Sequence, residues 1–436
     1  RDRVTSGPSP EIQGGGSAMA MTITPDDVLA DLLRGAEGQA DPYPFYRALH
    51  DLAPFHRHDA DGMWYAVRYE TCRNLLRDPR LGHDEERMFR RPGMTEAELE
   101  RMKARMEKRR RRGFSMLTEN PPDHTRIRRL VSRAFTTPRV EGLRDRVVGL
   151  VDERLDELAE AGEVDVMGAL AFPLPVTVIG ELVGVLEGER ERFRPLITEG
   201  MLADRPDATE EEIAKAERNF EELEAFFNEL IATRRAAPED DLLSALIAVR
   251  DEDDGRLNDD ELMSTVFLLF FAGFVTTTNV IGNGLLALLR HPDEMARLWA
   301  DASLVDPAVE EILRFDSPVP FVLRDVLEPV TVEDEGGVVL DRGEHVVFML
   351  SAANRDPQRY SDADRFDVGR REAQPLTFGW GIHHCLGAPL ARLETQMVFA
   401  RMRERFAGVD LLEPDPPRMG SFLRGLRSLQ VRVHPR

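Results

Sequence analysis

The sequence predicts a mainly helical protein with a small β region, folded as a single domain. Three observations lead there. From about residue 70 to 316, apolar residues recur at helical spacing, punctuated by proline and glycine breaks such as Pro121-Pro122 and Pro173 to Pro175. Residues 262–289 carry no charged side chain, the mark of a helix buried on all sides. Short β-branched runs appear only near the two ends of the chain. No linker or repeat divides the 436 residues, and 42% of them are hydrophobic, enough for one large core.

In chain order, Asp41-Pro42-Tyr43-Pro44 opens a helix that runs through Leu49. A hairpin follows, with Asp61-Gly62 at its turn and Trp64 to Val67 as its second strand. The helical region then extends to about residue 316. Strand signals return at Val319–Leu323, Val330–Val332, Val338–Leu340 and His345–Leu350. A last helix covers Ala388–Phe406, and Leu429–Val433 alternates as a closing strand.

The net charge of −22 leaves no dominant basic surface and argues against nucleic acid as a partner. Two cysteines, Cys72 and Cys385, cannot build a disulfide framework, so a reducing cytoplasm is the expected compartment. Cys72 lies in a helical pattern and reads as a small core residue. Residues 1–20 lack an apolar stretch and read as an expression-tag remnant, with the domain covering 21–436. The uncharged run from Leu262 is long enough to span a bilayer. Thr276-Thr277-Thr278-Asn279 and Asn283 interrupt it, and Asp259-Asp260-Glu261 precede it, so a buried central helix and no membrane contact are expected.

One segment is strongly basic. A capping box at Thr95 to Glu98 and a stop at Gly113 bound a helix in which residues 101–112 hold eight basic side chains. A solvated helix with a charge order that suits its dipole accounts for it. Attraction of an anionic substrate, or of one tethered to an acidic carrier protein, is the sharper alternative.

The chemistry points to Phe378-Gly379-Trp380-Gly381-Ile382-His383-His384-Cys385-Leu386-Gly387, just ahead of the last helix. A thiolate is a strong ligand for haem iron, and it needs cover and backbone N–H donors to stay deprotonated and unoxidised. Gly379 and Gly387 let the backbone wrap the sulfur, Phe378 can shield it, and His383 adds a donor for a carboxylate. On the residues alone, a structural cysteine and a nucleophilic cysteine paired with His383 or His384 stay open.

The stretch resembles the cysteine-loop signature of the cytochrome P450 family at every fixed position. Glu311-Ile312-Leu313-Arg314 resembles the family's Glu-x-x-Arg helix motif, and Arg365 resembles its third partner. Ala352-Ala353-Asn354-Arg355-Asp356-Pro357 also fits. His124 and Arg128, four apart on one helix face, match paired propionate ligands, and Arg324 matches the strand arginine that serves the other propionate. Ala272-Gly273-Phe274-Val275-Thr276-Thr277 matches the oxygen-binding groove, in which Gly273 admits oxygen and Thr276 bonds back to Ala272. The family usually has Asp or Glu where this chain has Val275. Asn279, with Thr276 and Thr277, is the expected substitute, holding water for proton delivery.

The resemblance implies the P450 fold, haem b with Cys385 as axial ligand, and insertion of one O2-derived oxygen into a substrate. Electrons would come from NAD(P)H through a separate ferredoxin and ferredoxin reductase. It further implies a soluble bacterial monomer that acts on a hydrophobic product of secondary metabolism. Leu269, Val275, Val319, Phe321 and Val322 are the expected pocket residues. Arg126, Arg129 and Arg133 share the helix face opposite His124, a surface suited to an acidic ferredoxin. A haem-binding recruitment or sensor protein without oxygen chemistry, and a peroxide-driven peroxygenase, are the two alternatives.

Overall fold

A computed structural model describes residues 23–84, 115–189, 209–252, 257–419 and 422–436, with Glu96, Glu100, Phe193 and Leu196 between them. The basic segment of residues 101–112 lies outside the described residues.

The central helix, Asp259–Arg290, organises the molecule. Its start is fixed by a capping box. Asn258 Oδ1 accepts the Glu261 amide at 2.8 Å, and Glu261 Oε2 accepts the Asn258 amide at 2.8 Å. Its apolar body packs against the helices Pro173–Val183, Glu210–Ala236, Val305–Phe315 and Ala388–Arg405. Most of its residues are buried, so the uncharged run serves a protein core.

Among the described residues, ten short strands form three sheets. In chain order they are β1 (Phe55–Arg57), β2 (Trp64–Ala66), β3 (Leu81–Gly82), β4 (Glu163–Asp165), β5 (Val322–Val326), β6 (Val330–Val332), β7 (Val338–Leu340), β8 (His345–Phe348), β9 (Phe406–Leu411) and β10 (Gln430–Pro435). The largest sheet runs β1-β2-β8-β5-β3, with β2 and β8 parallel and the other pairs antiparallel. Strands β4-β10-β9 form a second sheet and β6-β7 a third. The expected mainly helical architecture with a minor β part is what the chain adopts.

Boundaries needed correction. The strand expected at Val319–Leu323 occurs at Val322–Val326. Pro318 and Pro320 lack the N–H that a ladder needs, so pairing starts only beyond them. The strand expected to end at Leu350 ends at Phe348, because Leu350–Ala353 turns helical.

Candidate functional site

The loop before the helix Ala388–Arg405 is built around two left-handed glycines, Gly379 at φ 66° and Gly381 at φ 73°. A side chain on Gly381 would also collide with the Leu76 carbonyl, so glycine is required twice over at that position. The Cys385 amide donates to the Phe378 carbonyl at 2.9 Å, which closes the loop on itself. Arg392 lies over the Phe378 ring at 4.5 Å. Cys385 is accessible as a residue, yet protein crowds its sulfur enough that burial pushes the thiol pKa up. The Gly387 and Ala388 amides and the Arg128 and Arg392 guanidiniums oppose that shift by favouring the thiolate.

Beside this loop stand three imidazoles and two guanidiniums. His124 and His383 lie with ring centroids 4.2 Å apart, and His83 meets His383 edge-on at 5.3 Å. Both ring nitrogens of His83 and of His124, and Nε2 of His383, are buried with no hydrogen-bond partner among the described residues. Burial, reinforced by Arg324 and Arg128 nearby, lowers the pKa of His83 to about 3, of His124 to about 4 and of His383 to about 2. In each ring, burial favours the neutral form. Burial also lowers Arg324 to about 10, and its Nη1 donates to the Leu323 carbonyl at 2.7 Å. Arg128 Nη2 donates to the His384 carbonyl at 2.6 Å. Buried donors left in this state call for an anionic acceptor. The two carboxylates of haem fit that requirement.

On the central helix, Thr276 Oγ1 donates to the Ala272 carbonyl at 3.0 Å and Thr277 Oγ1 to the Gly273 carbonyl at 3.2 Å. Leu268, Ala272 and Thr276, four apart, share the less buried face. Leu269 and Val275 sit to either side of that face and are buried in the main core. Val319, Phe321 and Val322 are only partly buried. Gly273 has a packing reason: a Cβ there would come within 2.9 Å of Ile179 Cγ1, so the close approach it permits is by a neighbouring helix. Asn279 is buried, and its amide nitrogen and oxygen find no partner among the described residues. Gly425 packs directly against it.

The Glu311–Arg314 pair is fully buried, with Nε and Nη2 donating to the carboxylate at 2.6 and 2.8 Å. Its third member is not Arg365. The Arg365 side chain is 61% exposed and lies 3.8 Å from Glu294. Only the Arg365 carbonyl takes part, accepting from Arg314 at 3.0 Å. The second guanidinium on Glu311 belongs to Arg370, at 3.1 Å and 5% exposed. An arginine five residues further on was the available signal. Arg126, expected on an open docking face, is paired with Glu261 at the start of the central helix. Arg129 and Arg133 are exposed.

His83 and Phe422 escaped the sequence reading. The Phe422 ring meets Phe321 edge-on at 4.9 Å, a contact between distant segments that no local pattern announces.

The cytochrome P450 family model matches residues 94–419. The chain is 40% identical to the cytochrome P450 monooxygenase PikC of Streptomyces venezuelae, over 91% of this chain and 93% of that protein. It is 38% identical to the 6-deoxyerythronolide B hydroxylase of Saccharopolyspora erythraea, over 96% of this chain and 100% of that protein. Among solved structures, the cytochrome P450 PksS of the Bacillus subtilis bacillaene polyketide synthase superposes with a TM-score of 0.80 at 32% identity, over 95% of this chain and 100% of that one. The chain therefore belongs to the cytochrome P450 family, whose members are haem b monooxygenases.

Proposed function

We propose that this chain hydroxylates or epoxidises a hydrophobic natural product of the polyketide or macrolide class, with electrons delivered from NAD(P)H by a ferredoxin and its reductase. The observation that carries the haem seat is the set of buried, unpartnered imidazole nitrogens and half-buried arginines beside the Cys385 loop. His124, Arg128, Arg324 and His383 would hold the two propionates. Cys385 would supply the thiolate ligand, in a loop shaped by Gly379 and Gly387 with Phe378 beside it. When bound, haem supplies the splitting of O2 and the transfer of one oxygen atom. The named relatives support the substrate class, since one is a 6-deoxyerythronolide B hydroxylase. A screen of macrolide and polyketide scaffolds by the shift in haem absorption tests the class. Product formation with ferredoxin, reductase and NADPH then tests the reaction. No shift with any such scaffold counts against the assignment.

Thr276 donates its hydroxyl back to the Ala272 carbonyl, a bond that competes with the helix ladder and would let a water join there. Val275 passes no proton. Asn279, buried and unpartnered, holds the next water through its amide. Thr276→Ala is expected to lower product formed per NADPH sharply, because a positioned proton-transfer group contributes about 10²–10⁴-fold to the step that it serves. Asn279→Leu lowers it less. Wild-type coupling in both variants would mean that protons arrive by another route.

Arg129 and Arg133 lie on the outer face of the helix that carries His124 and Arg128, and they form the ferredoxin contact. Reversing both to glutamate is expected to slow ferredoxin-driven reduction by about tenfold at low salt, by loss of charge steering. Substrate affinity stays unchanged. An unaltered reduction rate would place the docking surface elsewhere.

A further inference from the structure

His83 follows β3, and the antiparallel register Leu81↔Val326, Gly82↔Asp325 sets it opposite Arg324 at the next step. Its main chain is held at two points by Asn120, from the loop before the helix Asp123–Ala134. Asn120 Oδ1 accepts the His83 amide at 2.9 Å, and Nδ2 donates to the His83 carbonyl at 2.6 Å. The next amide, of Asp84, donates to Asp325 Oδ2 at 2.6 Å. The chain is thus fixed on both sides of a ring that is itself buried. That ring meets His383 edge-on, and His383 lies tilted against His124. Both its nitrogens lack partners among the described residues. A side chain merely filling space would not need two clamps on its backbone, and an imidazole N–H left without an acceptor in a buried site is costly.

We propose that His83 is a further haem-anchoring residue, donating its ring N–H to a propionate beside His124 and His383. This rests on the haem seat proposed above and adds a contact outside the sequence motifs that suggested it. The test uses holoprotein whose reduced carbon monoxide band is that of an intact thiolate, so failure of the haem seat itself would be visible first. His83→Phe keeps an aromatic ring and removes the donor. It is expected to speed haem transfer to apomyoglobin by about tenfold, the worth of one hydrogen bond to a charged group, and to shift the propionate bending mode in resonance Raman spectra. His83→Gln or His83→Asn, which place an amide N–H near one ring nitrogen or the other, restores both readings. If the Phe variant keeps the wild-type mode and transfer rate, the ring only packs and the proposal fails. It fails equally if neither amide restores what phenylalanine removes. The Raman mode reads propionate hydrogen bonding in whatever holoprotein is present, so it decides even where a variant is less stable.

Discussion

Cys385→Ser is expected to abolish the thiolate-type Soret band of the reduced, carbon monoxide-treated protein, while Cys72→Ser leaves it at full intensity. A hydroxyl is a far weaker and harder ligand than a thiolate and does not give that spectrum. Of the two cysteines, only Cys385 sits in a loop whose own amides and neighbouring guanidiniums favour an anionic sulfur. Cys72 is completely buried, donates to the Ala66 carbonyl at 3.3 Å, and has its pKa pushed up by burial and by Asp356 and Glu335 nearby. It packs in the cluster that covers the five-stranded sheet. A band that survives Cys385→Ser and vanishes in Cys72→Ser would overturn the ligand assignment.

Glu311→Leu is expected to cost about 3–5 kcal/mol, because it removes the carboxylate shared by two buried guanidiniums and leaves Arg370 only its pair with Glu372. Arg314 and Arg370 are 0% and 5% exposed, and the carboxylate also accepts the Asp367 amide at 2.9 Å. The damage should reach the cysteine loop. Arg314 Nη1 donates to the Asn354 carbonyl at 2.9 Å, and Asn354 Oδ1 accepts the Leu376 amide at 2.7 Å, two residues before Phe378. Thr377, bonded to Asn354 at 3.0 Å and to the Leu313 carbonyl at 2.6 Å, ties the same loop to the same helix. Denaturant unfolding at fixed haem concentration measures the loss. Arg370→Met belongs with Glu311→Leu in that measurement, whereas Arg365→Met changes stability by at most about 0.5 kcal/mol. Comparable losses at Arg365 and Arg370 would restore the motif-based assignment and remove this one.

The sequence by itself determined the class of fold, the central helix, and the loop that presents Cys385. Each of these is local: a long uncharged helical period, a glycine pattern, a cysteine with nothing to pair with. The back-bond from Thr276 to Ala272 was legible for the same reason, since four residues along a helix always meet. Tertiary structure alone decided which distant groups face each other. Arg370 rather than Arg365 reaches Glu311, because only it turns inward. Arg126 is taken up by Glu261 where two helix starts converge. The glycine at 273 answers to Ile179 on another helix, and His83 is brought to His383 by a two-residue strand too short to read from sequence. Periodicity states which face a residue occupies. The approach of separate elements is set by packing of the whole core, and that packing determines which partner the residue meets there.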